Sequence, residues 1–428
     1  REPIPNLGTT TFRPPYTPVT LGTLAGESRD GRLAPVRRTP MHTLHEKAGA
    51  VFVHNGLWLR PARFPLRGEK PADTVARECR AVRDGIGLAD ISTLGKFEIR
   101  GPDCLEFLNR VYINAFTTET PGRIRYGVML REDGMVLDDG AVTCLGPGHW
   151  RLTCSTSHAG EVQTHLEYLL DVLWPELRIH LVTVTEQWAA VVVAGPRARD
   201  WLQRLVTIGG GATFTQLPHL HCASGTITGL AAQFLRVSYS GEYACEIHVR
   251  AGVGADLWPL LLAESGGEVI TPYGLDAMDV RRIEKGYVAT GAEIDGRTTP
   301  LDLGMHKLMK QDRRFVGWQG LQRPALQREP RLQLVGLLAA DAKHPLREGD
   351  QIVSTAQATG FGAVIGHVTS AAFSPGLGRH IALAMLQRGR ARHGETVHIA
   401  DPLRDGRKRR AATVTTPVFV DAGGARLR

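Results

Sequence analysis

Polar side chains lie at both ends of one predicted hairpin, in the stretch VYINAFTTETPGRIRYGVMLREDGMVLDDG. Asn114 and Tyr126 precede the tight Glu-Asp-Gly turn, and the strand after the turn carries the carboxylate pair Asp138 and Asp139. Neighbouring carboxylates can act as an acid and a base when burial separates their pKa values. They can equally be solvated hairpin residues, because most aspartates lie at the surface. The stretch by itself leaves both interpretations open.

A second polar stretch, SYSGEYACEIHV, places Tyr239, Glu246 and His248 around a predicted hairpin with its turn at residues 240–242. Glu246 lies between two apolar residues of an alternating strand. An inward carboxylate would offer two parallel acceptors to the parallel N–H donors of a planar, amidine-like heterocycle. Periodicity alone favours the other orientation, toward solvent, which is usual for glutamate.

A third stretch, EKGYVATGAEIDGRTTPLDLG, is dense in glycine, aspartate, threonine and proline. This composition predicts an ordered loop in which Asp295 and Thr298 cap turns, a structural role.

Strands and helices of mixed order must position these residues. Alternating segments predict strands over residues 96–101, 123–130, 135–144 and 150–154, and apolar residues at helical spacing predict a helix over 159–173. Hairpins and helices connect these strands irregularly, which predicts an α+β fold and not a doubly wound parallel sheet. After about residue 325, short β segments separated by glycine-rich turns predict a small antiparallel barrel or sandwich.

Composition excludes several classes of protein. Hydrophobic residues make up 43% and charged residues 22% of the 428, as in globular domains. No apolar run approaches the roughly 20 residues of a membrane span. The first residues, REPIPNLGTT, have no signal-peptide core and no initiator Met, so we expect a cytoplasmic chain that is a processed or excised piece of a larger one. Residues 1–45, rich in Pro, Thr, Gly and Arg, predict an extended arm or linker.

Neither cysteine spacing nor charge indicates a metal or a nucleic acid. The six cysteines form no CxxC pair, and HLHC at residues 219–222 has no second cluster, so we expect no metal site. The net charge is +8, with eight Lys/Arg against three Asp/Glu in residues 387–410. This segment lacks interleaved aromatic residues, so nucleic acid is not expected. A partner-facing basic surface and attraction of an anionic small molecule both remain open.

Seven motifs in one order resemble a known family. GIGLADISTLGKFEIRGPDCLEFLNRV, RYGVMLREDGMVLDDG, YSGEYACEI, EKGYVATGAEIDGRTTPLDLG, FVGWQGL, VIGHVTSAAFSPGLGRHIALA and PVFVDAGGARLR are similar to the folate-dependent aminomethyltransferases, which include the T component of the glycine cleavage system. The motifs also resemble the carboxy-terminal half of sarcosine-oxidase-type α subunits. The resemblance implies two mixed α/β lobes and a small carboxy-terminal antiparallel β-barrel around a central folate hole. The expected divisions are the arm at 1–45, the two-lobed folate-binding region at 46–325 and the barrel at 326–428.

The resemblance also implies folate-binding residues. Tyr239 and Glu246 match the family's tyrosine and pterin-binding glutamate, which reverses the solvent-facing interpretation of Glu246. Tyr287 matches a tyrosine near the folate, and Tyr126 lies in a strand flanking the hole. Asp138 is expected to point inward from a hairpin that both aspartates order and that forms one wall of the hole.

Two positions depart from the family pattern. Counted from the Gly122 turn, the family's catalytic aspartate falls on Asn114, and an arginine near the folate falls on Met278. Asn114 is therefore the candidate catalytic residue. It can orient an amine but supplies no charge. A partner that delivers a ready-made iminium would leave this chain mainly proximity and orientation to provide.

In the function implied by the resemblance, tetrahydrofolate captures a carbon released by amine oxidation, giving 5,10-methylenetetrahydrofolate. FMN or FAD and NAD are expected on a flavin-containing β-type subunit or on an amino-terminal dinucleotide-binding half, with small subunits completing the complex. A non-catalytic assembly subunit and a stand-alone folate-dependent demethylase or aminomethyltransferase remain alternatives. The amine substrate, whether sarcosine, dimethylglycine or an opine, would be selected by the flavin subunit.

Overall fold

The computed structural model describes residues 36–309, 315–341, 345–357, 361–400 and 409–428. The predicted arm lies outside the described residues except for residues 36–45. Helices of the described residues are α1 (His42–Lys47), α2 (Pro71–Asp84), α3 (Cys104–Val111), α4 (Ala159–Tyr168), α5 (Ala198–Leu205), α6 (Gly254–Ala263), α7 (Leu275–Lys285), α8 (Trp318–Leu321) and α9 (Pro324–Gln327).

The strands of the two lobes are β1 (Val51–Asn55), β2 (Trp58–Arg63), β3 (Ile86–Asp90), β4 (Gly95–Arg100), β5 (Ile124–Leu130), β6 (Val136–Gly146), β7 (His149–Cys154), β8 (His180–Thr183), β9 (Trp188–Ala194), β10 (Val206–Ile208), β11 (Cys222–Ile227), β12 (Leu230–Leu235), β13 (Ala244–Arg250) and β14 (Ile270–Pro272). The remaining strands are β15 (Leu332–Ala339), β16 (Gln351–Val353), β17 (Val364–Ser374), β18 (Arg379–Gln387), β19 (Thr396–Ala400) and β20 (Arg410–Thr415).

The first lobe is an antiparallel sheet in the order β5-β6-β7-β4-β8. Helices α3 and α4 contribute Phe107, Leu108 and Leu166 to its core, where they pack with Trp150 of β7. The helix predicted over 159–173 is confirmed as α4, which continues as one π-helical turn, Leu169–Leu173. The lobe thereby fixes the hairpin β5–β6 that carries the polar residues.

The second lobe is a seven-stranded sheet in the order β10-β11-β12-β13-β9-β3-β14. Only its edge pair β3–β14 is parallel; the other pairs run antiparallel. Trp201 of α5 and Trp258 of α6 pack into its core. Strand β13, which carries Glu246, is therefore an interior strand with partners on both sides.

The third unit is a closed six-stranded barrel in the order β15-β18-β17-β16-β19-β20. Its interior is filled by fully buried aliphatic residues such as Val335, Ile352, Val397 and Ile399. The barrel, with the two mixed lobes, confirms the predicted α+β class.

One apolar cluster joins the units. Ile113 and Val128 of the first lobe pack in it with Ile283 of α7 and Leu383 of the barrel. Helix α7 ends where Gly286 adopts a φ of 74°. A Cβ at Gly286 would lie 2.6 Å from the Pro417 carbonyl oxygen, so the turn needs glycine.

Among the helices in the described ranges, none is both long enough and apolar enough to cross a bilayer.

Candidate functional site

Two of the predicted tyrosines form a stacked pair. The Tyr239 and Tyr287 ring centroids are 6.1 Å apart, with 21° between the ring planes. The Tyr239 hydroxyl donates to the carbonyl oxygen of Val288 at 3.2 Å. Tyr239 comes from the turn before β13, and Tyr287 follows the Gly286 turn at the end of α7. Two lobe segments distant in sequence thus present one aromatic surface.

A third predicted tyrosine bonds a carboxyl group. The Tyr126 hydroxyl donates to Asp139 Oδ2 at 2.6 Å. Burial, and then the charge of Asp138, raises the pKa of Asp139 to about 7. Burial, and then Asp139, raises the pKa of Tyr126. Asp139 therefore exchanges a proton near neutral pH, whereas Tyr126 stays a neutral donor.

The two pairs belong to one cluster. Burial raises the pKa of Tyr239, opposed by Arg282 and reinforced by the charge of Asp139. Tyr239 is nevertheless 42% exposed. A side chain that is solvent-accessible and yet surrounded by protein is typical of a concave site. We call Tyr126, Asp139, Tyr239 and Tyr287 the tyrosine–carboxylate cluster.

Asp138 has a different environment. It is fully buried, and its carboxylate accepts hydrogen bonds from Ser155 N, Ser155 Oγ, Thr290 Oγ1 and Asp139 N at 2.7–3.0 Å. These bonds join β6 to the end of β7 and to the loop after α7. Asp138 points inward, as the resemblance implies, and protein donors surround its oxygens. A contact between Asp138 and folate stays a prediction.

Asn114 lies at the start of the same hairpin. It is 8% exposed, and its Oδ1 accepts the backbone N–H of Val128 at 3.1 Å. This contact anchors the chain before β5 to the strand itself. It gives Asn114 a structural role, and a catalytic role stays a prediction. Met278, at the family's arginine position, is buried in an apolar cluster on α7.

Glu246 faces inward from β13. Its side chain is 17% exposed, and Oε2 lies 3.0 Å from Nε2 of His248, which is fully buried on the same face of the strand. The solvent-facing orientation favoured by periodicity is therefore wrong. Both faces of β13 are covered, so alternation does not indicate which face meets water.

Lys96 is a charged neighbour that the motifs did not single out. It is fully buried, and Nζ donates to the carbonyl oxygens of Ser92 and Leu94 at 2.8 and 2.9 Å. Burial lowers its pKa to about 8, and the charge of Glu246 acts in the opposite direction. Alternation in KFEIR places Lys96 and Glu98 on one face, the signal by which both could have been found.

The basic segment is only partly described, because residues 401–408 lie outside the described ranges. Arg390 donates to the carbonyl oxygens of Leu301 and Asp302, and Arg410 pairs with buried Asp350 at 2.9 Å. Arg390 thus binds the barrel to the loop that holds residues 301 and 302, and Arg410 joins β20 to the residue before β16 within the barrel. Neither hypothesis for the basic excess, a partner surface or anion attraction, is tested by these contacts.

Sequence comparison assigns both parts of the chain to one family. The "GCVT N-terminal domain" matches residues 41–313, and the "Glycine cleavage T-protein C-terminal barrel domain" matches residues 333–421. The second match coincides with the closed barrel seen in the fold.

Similar curated proteins fall into two groups. The sarcosine oxidase subunit alpha of Rhizobium meliloti (strain 1021) is 42% identical over 98% of this chain but only 43% of its own length. This chain thus spans less than half of that relative. The aminomethyltransferase of Symbiobacterium thermophilum is 32% identical over 90% of this chain and 97% of its own length.

A solved structure shares the whole architecture. The glycine cleavage system aminomethyltransferase T from Bartonella henselae superposes with a TM-score of 0.77 at 25% identity, covering 90% of this chain and 99% of that one. Together with the two domain matches, this establishes that the chain belongs to the glycine cleavage T-protein family of aminomethyltransferases.

Proposed function

We propose that this chain is the tetrahydrofolate-binding module of a sarcosine-oxidase-type amine oxidase complex. It takes up the one-carbon unit released by the oxidase. The identity of 42% to a sarcosine oxidase α subunit, of which it spans 43%, supports that context. The observation that carries the proposal is that the carboxylate of Glu246 points inward from β13. In addition, the tyrosine–carboxylate cluster of the same chain presents a stacked, accessible aromatic surface.

The residues present fit a pterin. Glu246 Oε2 contacts His248, while Oε1 accepts no hydrogen bond from the described part of the chain. A carboxylate in this state can bind the adjacent N–H donors of a 2-amino-4-oxopyrimidine ring. Flat Tyr239 and Tyr287 provide ring surface for stacking. When bound, tetrahydrofolate supplies the nitrogen nucleophiles that accept the one-carbon unit, giving 5,10-methylenetetrahydrofolate.

The chain's own residues position groups and hold a proton. Asp139, with a pKa of about 7, accepts or returns a proton at Oδ1 or Oδ2 near neutral pH. Tyr126 orients that carboxyl through its 2.6 Å hydrogen bond. Asp138 fixes the backbone of β6 next to Asp139 through its hydrogen bonds. In this proposal FMN or FAD and NAD bind the partner subunits or an amino-terminal half, and the iminium arrives already formed.

The test is tetrahydrofolate binding to the purified chain, measured by calorimetry. We expect Glu246→Gln to weaken affinity by about tenfold or more, because an amide replaces one of two parallel acceptors by a donor. Glu161→Gln is the matched control, since its carboxylate lies exposed on α4. Equal affinity in all three proteins would refute the pterin-binding role of Glu246.

A second candidate is stand-alone aminomethyl transfer. It is favoured because this chain spans 97% of the aminomethyltransferase of Symbiobacterium thermophilum. The two functions differ in their dependence on an oxidase. Formation of methylenetetrahydrofolate from sarcosine only when the flavin subunit is added supports the first. Turnover of an aminomethyl donor without that subunit supports the second.

A further inference from the structure

A separate cavity of about 700 Å³ opens between the sheets of the two lobes. Its lining includes Glu98 and Arg100 of β4, Arg151 of β7, Trp188 of β9 and Arg250 of β13. No residue of the tyrosine–carboxylate cluster lines it, and neither do Asn114, Asp138 and Glu246. The volume lies within the range of small-molecule sites, about 300–1,000 Å³.

The lining of this cavity is positively charged. Arg100, Arg151 and Arg250 face one carboxylate, Glu98, among the described lining residues. Glu98 is already engaged: Oε1 accepts Arg151 Nη2 at 2.7 Å, and Oε2 lies 2.9 Å from His149 Nε2. Glu98 Oε2 also lies 3.4 Å from Arg100 Nη2, so this one carboxylate partly compensates both Arg151 and Arg100, and Arg250 has no carboxylate partner among the described residues. The lining therefore keeps an excess of positive charge. Such an excess attracts anions.

Trp188 holds two of these guanidinium groups. The Arg151 and Arg250 Cζ atoms lie 4.3 and 4.5 Å from its ring centroid. Stacking on an aromatic ring fixes a guanidinium without using its N–H edge. The Arg151 edge already donates to Gln233 and Glu98, whereas the Arg250 edge donates to no acceptor among the described residues. Arg250 makes no ion pair within the described part of the chain. Its charge is thus positioned without being neutralised.

Two buried donors in the same lining lack acceptors. Arg151 Nε and Trp188 Nε1 have no hydrogen-bond partner among the described residues. Arg151 is 1% exposed and Trp188 is 7% exposed. Both atoms lie beneath the surface of the cavity, so a ligand reaches them only if the side chains move. The accessible guanidinium groups of Arg100 and Arg250 are the ones that meet a ligand directly.

We propose that this cavity is a second binding site, which takes a small metabolite through a carboxylate or phosphate group. An oxyanion supplies the negative charge that the lining lacks and acceptor oxygens for its accessible guanidinium groups. Arg100 and Arg250 bind the oxyanion at the opening of the cavity. Arg151 and Trp188 form the inner wall of the cavity. The site is distinct from the proposed folate site and does not depend on it.

The experiment titrates succinate and inorganic phosphate separately into the full 428-residue chain by calorimetry. We expect saturable binding of at least one anion. Arg250→Gln and Arg100→Gln should each weaken it about tenfold, the loss of one charge-assisted bond. Glu98→Gln should tighten it, because it removes the competing negative charge. Arg80→Gln, on the exposed face of α2, should bind like the wild type.

Thermal unfolding of each variant checks that the chain is folded. Replacement of Arg100 and Arg250 creates no cavity in an apolar core. Preference for phosphate identifies a phosphorylated ligand, and preference for succinate identifies a carboxylate; either supports the site. Lack of saturation at about 10 mM of both anions, a range in which even weak specific sites fill, would overturn it. Unchanged affinity in the Arg100→Gln and Arg250→Gln double variant would also overturn it.

Discussion

Asp138 and Asp139 are chemically identical neighbours that differ only in what surrounds them. Four donors hold Asp138, whereas Asp139 has one phenol donor and the adjacent charge of Asp138. The four donors order the Asp138 carboxylate, whereas burial beside a like charge favours the neutral form of Asp139. Asp138 is consequently suited to fixing the backbone, and Asp139 to exchanging a proton.

Asp139→Asn should change the pH dependence of stability. The pKa of Asp139 is about 7 in the folded chain, above the usual value for aspartate of about 3.9. The folded state then binds more protons between these values, so wild-type stability falls as pH rises from about 4 to about 7. The variant removes this loss. We expect its free energy of unfolding to exceed that of the wild type at pH 8 by on the order of 1–3 kcal/mol.

Urea unfolding at pH 4.5, 6 and 8 measures this difference. Tyr126→Phe is the companion variant, because it removes the phenol donor but keeps the carboxyl. A difference between Asp139→Asn and wild type that is the same at all three pH values would show that Asp139 does not titrate with a raised pKa.

Asp138→Ala should destabilise the chain strongly. It removes the acceptor of four hydrogen bonds and leaves the half-buried donors of Ser155 and Thr290 without it. We expect a loss of about 2–4 kcal/mol in the free energy of unfolding. Asp138→Asn, which keeps one acceptor oxygen, should lose less. Denaturant titration compares the free energies of unfolding of the two variants. Equal losses of stability would contradict the expectation that the hydrogen bonds to Asp138 stabilise the chain.

At the scale of elements, helix α7 is unusual because its buried face is charged. Arg281 donates to Glu242 Oε1 at 2.6 Å and to Glu284 Oε2 at 2.5 Å. Arg83 of α2 pairs with the same two carboxylates. This network ties α7 to α2 and to the turn that carries Tyr239. The position of the tyrosine–carboxylate cluster therefore depends on ion pairs between elements.

Arg281→Met should lower the free energy of unfolding, because it removes one arginine from this network of buried ion pairs. The substitution keeps much of the buried side-chain volume but leaves Glu242 and Glu284 with less compensating charge. Breaking one side of a buried network costs about 3–5 kcal/mol. Arg197→Met, which breaks an exposed pair with Glu268, is the control and should change stability little. Thermal and urea unfolding of both variants test the contrast; similar effects would contradict it.

At the scale of the whole molecule, the barrel is packed onto the lobes. The apolar cluster of Ile113, Val128, Ile283 and Leu383 spans the first lobe, α7 and β18. Buried Glu293 adds polar bonds across the same junction, accepting from Arg282 and from Thr369 of the barrel. The barrel therefore helps to hold α7 in place, through both the apolar cluster and the hydrogen bonds of Glu293.

Leu383→Ala should loosen the lobe and the barrel together. Removing a fully buried leucine side chain costs about 2–5 kcal/mol. Because Leu383 and Val128 belong to the same apolar cluster, amide hydrogen exchange should accelerate in β5 as well as in β18. Ala384→Gly, at the neighbouring position facing the barrel interior, is the comparison. Faster exchange confined to the barrel would show that the two units open independently.

Much of the fold was predictable because its signals are local. Strands β5, β6 and β7, helix α4 and the short strands of the barrel follow from periodicity and turn residues. The site was predictable only in part. The resemblance indicates Tyr126, Tyr239 and Tyr287, which lie together in the structure with Asp139. Asp139 is indicated by the sequence only as half of a carboxylate pair and as a hairpin residue, because its pKa depends on burial that the motif does not show. Lys96 is not indicated, because alternation places it on one face with Glu98 but does not show that this face is buried.

The sequence by itself determined the family, through ordered motifs, and the alternation that places Asp138 and Asp139 on opposite faces of one strand. Only the tertiary structure decided which face of each strand meets which neighbour. The period of two is the same for a strand covered on one face and a strand covered on both. Three features arise where two sheets and a helix end meet: the inward orientation of Glu246, the donors around Asp138 and the burial of Lys96. Residues distant in sequence surround each of these side chains, so local sequence does not indicate them.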